Sequence, residues 1–363
     1  MNKLDQIMAF LKQKEELKAT KPLRYLMWEP SLQCNLECLH CSNECTQSNT
    51  MESKELTTSE IKNELLDISK HYDTNDIKFV VTGGEPLMRD DLMDVGAYAY
   101  SLGYKFGITT NGILLNQKSV QSLQKAHLSS IAISLDGIAT HHDKLRNSIG
   151  AYDKTIKGIK CLFEQNFQGS VAILCCVSSI NVYHLEEFIE KLIELGVYNV
   201  RFTPIFGQGR GTEQHDLMLS DEELYYLLNF IKEYRKGENK INIALGDDGY
   251  YGVDFECHVR NSLHYCGAGI EWGAILYDGT VTGATHISPK YSEGNIRDNS
   301  FVEIWENRFY EYREGREALF SPYCKDCEEW VLCEGGGFHL LEQQIDGSEL
   351  CGYKKLRRME NGQ

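Results

Sequence analysis

Between Leu23 and Arg235 two hydrophobic periodicities take turns along the chain. Short runs rich in Val, Ile, Phe and Thr read as strands: Arg24–Trp28, Asp76–Thr82, Tyr104–Thr110, Ile131–Leu135, Ser170–Val177 and Asn199–Thr203. The segments between them carry apolar residues at three- and four-residue spacing and read as helices, among them Thr58–His71, Lys118–Ala126, Thr155–Gln165, Leu185–Leu195 and Ser220–Tyr234. Six such units predict an α/β fold on a parallel sheet, a partial (β/α)6 TIM-like barrel. Chemistry in such sheets sits at the carboxyl ends of the strands. After Lys236 the alternation stops. Gly246–Tyr250 reads as a turn-rich linker, Asp278-Gly279 as a hairpin turn, and cysteines crowd the end of the chain. The expected division is a helix over 1–22, a barrel over 23–236, a linker over 237–265 and a small cysteine-rich domain over 266–363.

Composition narrows the function classes. The 363 residues are 42% hydrophobic, enough for a large core. A formal charge of -16 without a basic run argues against nucleic acid or an anionic membrane as partner. Thirteen cysteines, odd in number and grouped in short motifs, point to a reducing compartment. With no signal-peptide pattern and no long apolar run, a cytoplasmic protein is expected.

Cys34, Cys38 and Cys41 form a C-x3-C-x2-C loop directly after the first strand. Three thiolates on a four-iron cluster leave one iron open, whereas structural zinc takes four protein ligands. A zinc site completed by His40 or Cys45 is the competing reading of the spacing alone. After the second strand comes Gly83-Gly84-Glu85-Pro86, where bare backbone and a carboxylate can accept hydrogen bonds from an ammonium group.

Together these motifs resemble the radical S-adenosylmethionine enzymes, over roughly residues 23 to 235. The resemblance implies a 4Fe-4S cluster on Cys34, Cys38 and Cys41 whose open iron is chelated by S-adenosylmethionine. One electron then yields methionine and a 5′-deoxyadenosyl radical, which abstracts a hydrogen atom from substrate. It further implies that Gly83, Gly84 and Glu85 hold the methionine amino group. Ser134 and Asp136 would approach the ribose, with Asn111 beside them, and Arg146 would pair with the methionine carboxylate. A salt bridge at Arg146 and a simple turn at Asp136-Gly137 are the plain alternatives. Phe206–Gly211 reads either as a close approach to ligand or as an ordinary loop.

Cys324, Cys327, Cys333 and Cys351 give C-x2-C-x5-C-x17-C, a closed four-ligand metal site. Taken alone, the spacing suits zinc. With Asp278-Gly279-Thr280, Gly294-Asn295 and Ile304-Trp305 it resembles the C-terminal SPASM/twitch domain, which implies an auxiliary 4Fe-4S cluster. The full domain carries two auxiliary clusters. Here Cys266 matches a first ligand, but Ala284 and Gly337 stand where two others belong, so two clusters in total are expected. Cys257 and Cys266 are then inert thiols or hydrogen-atom donors, or Cys266 still serves a damaged cluster as a ligand.

The resemblance implies a peptide or protein substrate that is crosslinked, oxidised or epimerised. Partners would be a reductase or a flavodoxin or ferredoxin as electron donor and a separate leader-recognition protein, since only about twenty residues precede the first strand. A small molecule such as a tetrapyrrole, quinone cofactor or sugar is the alternative substrate. A non-catalytic iron-sulfur redox sensor is the alternative of another class.

Overall fold

The computed structural model describes residues 3–48, 50–246, 249–324, 326–341 and 351–361. The six expected strands are present: β1 (Tyr25–Trp28), β2 (Lys78–Val81), β3 (Lys105–Thr110), β4 (Ser130–Ser134), β5 (Ser170–Val177) and β6 (Asn199–Pro204). They pair in sequence order and in parallel. Helices return the chain from each strand to the next: α2 (Thr58–His71), α3 (Leu92–Ser101), α4 (Gln117–Lys125), the pair α5 (Ala139–Leu145) and α6 (Ala151–Glu164), α7 (Leu185–Glu194) and α8 (Asp221–Tyr234). Ahead of them lies α1 (Lys3–Thr20). The helix starts are encoded locally. Thr57 with Glu60, and Ser220 with Glu223, form capping boxes that satisfy the first free N–H groups of α2 and α8.

Alternation along the strands separates two environments. Leu26, Trp28, Phe79, Val81, Phe106, Ile131, Ile133, Ile173, Val177 and Phe202 are buried and form one core with Ile61, Leu65, Val95, Leu123, Leu162, Leu192 and Leu228 of the helices. The residues between them on the strands, Met27, Val80, Thr109, Ala132, Ser134, Cys176 and Thr203, are only half-buried. A closed eight-stranded barrel fills its interior with bulky branched side chains. Several of these positions are small or polar, so the inner face of the sheet keeps room for a ligand.

Two features depart from the expected division. The stretch read as linker contains a seventh parallel strand, β7 (Asn242–Leu245), paired to β6, and a short helix, α9 (Val253–Val259). Asp247 and Asp248 of the expected turn lie outside the described residues. The hairpin at Asp278-Gly279 also does not start an independent sheet. Its first strand, β8 (Trp272–Ile275), runs parallel to β1, and β9 (Thr280–Thr282) and β10 (Gly294–Asn295) follow antiparallel. The result is one 10-stranded sheet in the order β10-β9-β8-β1-β2-β3-β4-β5-β6-β7. Docking on β1 covers the edge that an incomplete barrel would otherwise expose. Among the described residues, no helix is long and apolar enough to cross a membrane.

Candidate functional site

Cys34, Cys38 and Cys41 lie in the loop that leaves β1, at the carboxyl end of the sheet. Three neighbouring segments hold this loop. The first is the turn after β2. Gly84 N–H donates to Ser31 O (2.9 Å) and Glu85 N–H to Gln33 O (2.8 Å). A Cβ on Gly84 would stand 1.9 Å from Gln33 O, and Gly83 adopts φ +98°. These glycines are therefore required where the turn and the entry to the cysteine loop touch backbone to backbone. The sequence reading gave that bare backbone to a ligand.

Glu85 also faces inward. Its oxygens accept from Thr110 Oγ1 (2.7 Å), Asn111 N–H (2.9 Å) and Leu87 N–H (3.1 Å), so it ties β2 to the end of β3. Burial pushes its pKa up against the pull of these bonds. Asn111 carries the link onward. Its Nδ2 donates to Asn35 Oδ1 (2.6 Å) and points at Cys34 Sγ (3.8 Å).

The second segment follows β4. Asp136 and Arg146, assigned by resemblance to the ribose and to the methionine carboxylate, are brought to each other. Arg146 Nε lies 2.7 Å from Asp136 Oδ2, and its Nη2 donates to Oδ1 at 3.0 Å. Cys176 N–H donates to the same Oδ1 (3.0 Å). The physical reason is burial: a guanidinium and a carboxylate this deep each need the other. Burial would raise Asp136, but Arg146, His40 and His142 outweigh it and hold the carboxyl below its usual range. Burial drives both His40 and His142 down to about 4, so both are neutral near pH 7. The remaining Arg146 nitrogen, Nη1, faces Cys38 Sγ at 3.7 Å. Ser134 stands half-buried at the end of β4 on the inner face.

The third segment is the Phe206–Gly211 loop, read in the sequence as a ligand approach or an ordinary loop, with no role given to Arg210. Arg210, in the loop after β6, donates from Nε to Cys38 O and from Nη1 to Cys45 O, both at 2.9 Å. Its own N–H reaches Cys41 O (3.1 Å). Gly209 beside it packs so closely that a Cβ would lie 2.5 Å from both Cys41 O and Ser42 O. The available signal was an arginine flanked by glycines, Gly209-Arg210-Gly211.

The thiols themselves fit a thiophilic metal cluster. Burial pushes Cys34 up to about 12, with the charges of Glu85, Cys38 and Cys41 adding to it, a crowding that bound cations relieve. The Cys45 thiol, 2% exposed, hydrogen-bonds to Cys41 and brings it down to about 6. Asn111 and Arg146 supply N–H groups aimed at two of the sulfurs, as an anionic sulfur cluster requires.

The structure brings the second cysteine group together. Cys324 closes a helix (Arg316–Cys324), Cys333 closes another (Trp330–Cys333), and Cys351 precedes a third (Gly352–Asn361). Cys324, Cys327, Cys333 and Cys351 all line one cavity with about 490 Å³ free of protein atoms, part of it open to solvent. Tyr250 lines this cavity and donates to Glu329 Oε2 (2.7 Å). Burial raises Cys333 and Cys324, and their sulfurs repel those of Cys351 and each other.

Cys266 lies elsewhere. Its sulfur accepts from Phe338 N–H at 3.4 Å. Phe338, fully buried, stacks on Tyr312 with ring centroids 4.1 Å apart. Aromatic packing thus occupies the surroundings of the thiol whose partner ligands are replaced by Ala284 and Gly337. Cys257 sits half-buried against the small apolar cluster of Phe10, Tyr250, Val253 and Leu263.

Comparison with known proteins agrees with this division. The model of the radical SAM superfamily matches residues 28–192, and that of an iron-sulfur cluster-binding domain, SPASM, matches residues 266–328. The chain is 29% identical over 357 residues to an Fe-coproporphyrin III synthase of Methanosarcina barkeri, covering 91% of this chain and 86% of that one. It is 28% identical over 318 residues to the mycofactocin maturase MftC of Mycobacterium tuberculosis, covering 86% and 77%. Among solved structures, anSMEcpe with bound AdoMet and a Cp18Cys peptide shares the fold at TM-score 0.70 and 20% identity, covering 93% of this chain and 95% of that one. Streptococcus suis SuiB bound to S-adenosylmethionine does so at TM-score 0.68 and 17% identity, covering 92% and 76%. The residues present fit two 4Fe-4S clusters, one per cysteine group, with S-adenosylmethionine at the first. The chain belongs to the radical SAM superfamily, as an enzyme whose C-terminal part is a SPASM iron-sulfur domain.

Proposed function

We propose that the enzyme modifies a side chain of a peptide or protein, held in a cavity between its two cysteine sites. The observation that carries this reading is the cavity beside the end of β6. It offers about 500 Å³ free of protein atoms, solvent-connected space included, and is lined by Ile205, Phe206, Met218, Leu219, Tyr251 and Leu340 among others. Leu340 and Gly352 line both this cavity and that of the four cysteines. Phe206 belongs to the loop whose Arg210 clamps the three-cysteine segment. The cavity therefore adjoins both metal-binding regions.

Its chemistry favours an apolar side chain over a polyanion. The buried arginines nearby are already engaged: Arg146 by Asp136, Arg210 by the carbonyls of Cys38 and Cys45, and Arg316 by those of Glu334 and Gly336. Lys355, which also lines the cavity, reaches Leu219 O (3.5 Å) and lies 3.9 Å from Asp221. Several ligand carboxylates would meet few available cations in a chain of net charge -16.

When bound, cluster and S-adenosylmethionine supply methionine and a 5′-deoxyadenosyl radical that removes a hydrogen atom from a substrate C–H bond. The chain's own part is positional. Gly83-Gly84-Glu85, Arg146 and Arg210 hold the cysteine loop, and Ser134 and Asn111 face the cofactor side of the sheet. Cys324, Cys327, Cys333 and Cys351 would hold the cluster that relays an electron to or from the substrate. A flavodoxin or ferredoxin type of donor supplies the first electron, and a separate protein presents the peptide.

The names of the relatives favour a second reading, a tetrapyrrole substrate, since one is an Fe-coproporphyrin III synthase and another an AdoMet-dependent heme synthase. One experiment separates the two. Anaerobically reconstituted enzyme is given S-adenosylmethionine and reductant with either the short peptides encoded beside its gene or propionate-bearing iron tetrapyrroles. A mass change in a peptide, matched mole for mole by 5′-deoxyadenosine, supports the first reading. A mass change confined to the tetrapyrrole overturns it.

A further inference from the structure

We propose that Lys14 and Lys18 of α1 set the redox potential of the C-terminal cluster, by placing two positive charges against the Cys333 side of its cavity. The inference rests on a cluster being bound by Cys324, Cys327, Cys333 and Cys351. It does not depend on which substrate is used.

Helix α1 precedes the barrel in sequence, yet it packs against the far end of the chain. Phe10 joins Tyr250, Val253 and Leu263 in a separate apolar cluster, with Leu332, Cys333 and Tyr353 packed around it. On the same face of the helix, four residues on, stands Lys14 with its side chain 6% exposed. An apolar residue would suit that face better, because burying an ammonium group is costly unless it is paired. Lys14 Nζ donates to Val331 O (2.6 Å) and lies 3.2 Å from Glu334 Oε1. One turn further, Lys18 Nζ donates to both Glu334 oxygens, at 2.8 and 2.7 Å.

Glu334 follows Cys333 directly and adopts a left-handed φ of +48°. Its carbonyl takes Arg316 Nη2 (2.9 Å), which also reaches Gly336 O (2.6 Å). Two ammonium groups thus meet one carboxylate, and a guanidinium holds the carbonyl of the same residue, at the segment that presents a cluster ligand, so positive charge is left over. Reduction adds one negative charge to a cluster already anionic through its thiolates. Uncompensated positive charge in a partly buried setting favours the reduced state and raises the potential. Lys14 and Lys18 are accordingly positioning and tuning residues that act through the Glu334 segment.

The test is a redox titration of the full chain, followed by electron paramagnetic resonance. Cys34, Cys38 and Cys41 are replaced by alanine so that only the C-terminal cluster reports. Lys18→Met should move the midpoint to a more negative value. Glu334→Gln should move it to a more positive one, and Lys18→Arg should leave it in place. Opposite signs from two changes that break the same contact cannot arise from loosened packing alone. Shifts of the same sign, or none in either variant, would overturn the proposal. The Lys18 and Glu334 side chains are 27% and 23% exposed and tolerate substitution.

Discussion

The two cysteine groups of this enzyme are built on opposite plans. The N-terminal group offers three sulfurs from one loop, and the surrounding chain supplies the rigidity. Backbone bonds from Gly84 and Glu85, the Arg210 fork and N–H groups of Asn111 and Arg146 all converge on the segment 31–45. The C-terminal group offers four sulfurs from three helix ends around one cavity, and cations of α1 and Arg316 brace the segment beside Cys333. The difference suits the roles proposed above for the two sites. A site that orients a cofactor on an open iron needs its loop fixed to a fraction of an ångström. A site that passes electrons needs a complete ligand set and a suitable potential, and it tolerates looser framing.

Removing ligands is the largest perturbation and splits the two plans. Replacing Cys34, Cys38 and Cys41 by alanine should abolish 5′-deoxyadenosine formation. Iron should fall from about eight to about four atoms per chain. Replacing Cys324, Cys327, Cys333 and Cys351 should lower iron equally but leave uncoupled cleavage of S-adenosylmethionine measurable by chromatography, with no modified substrate. Cleavage lost in both sets would mean that the two sites are one functional unit and would break the comparison.

Next in size is the buried ion pair. Asp136→Asn leaves the Arg146 guanidinium without its counter-charge and should cost about 3–5 kcal/mol of stability, read from denaturant unfolding of the apo protein. The pH dependence has a definite sign. The folded-state pKa of Asp136 lies below its unfolded value near 3.9, so its contribution is present above about pH 4 and is lost as pH falls through the folded value. Wild type and variant should therefore differ fully at pH 7 and converge only as pH falls below the unfolded value near 3.9. A difference independent of pH would assign the loss to packing.

How much of this was legible in the sequence depends on how local each feature is. The strands of the barrel announce themselves through periodicity, and the thiols of both sites through spacing over a few residues. Arg210 does neither, since its acceptors Cys38 and Cys45 lie 172 and 165 positions away. The Asp136–Arg146 pair was visible only as two polar residues after β4, and burial, which no single sequence displays, decided that they face each other. β7 spans four residues with two buried positions, too short to carry a period. β8 looked like one arm of a hairpin, and only its pairing with β1 shows that the C-terminal domain grows out of the barrel's sheet.

Arg210 offers a smaller, sharper test of loop rigidity. Arg210→Ala removes two bonds to carbonyls of the cysteine loop without touching a ligand. A misplacement on the ångström scale at a reacting centre costs on the order of 10²-fold in rate. Cleavage of S-adenosylmethionine should slow by that much while iron content holds. Arg210→Lys should not restore the rate, because a single ammonium cannot span the two carbonyls as the planar fork does. Full rescue by lysine would show that charge near Cys41, and not geometry, is what the residue provides.

The smallest effect belongs to the thiol left over from the reduced ligand set. Cys266 is 9% exposed, its sulfur bonded to Phe338 N–H in aromatic surroundings. As a packed thiol it contributes one modest hydrogen bond and some apolar contact. Cys266→Ala should then cost only about 1–2 kcal/mol and leave iron at about eight atoms per chain. Both cysteine plans predict the same null result for iron, for different reasons. The triad takes no ligand from this region, and the four-cysteine site is already closed. A loss of iron on Cys266→Ala would mean that the C-terminal site recruits a ligand across the Phe338 packing. The contrast between an open three-sulfur site and a closed four-sulfur site would then need to be redrawn.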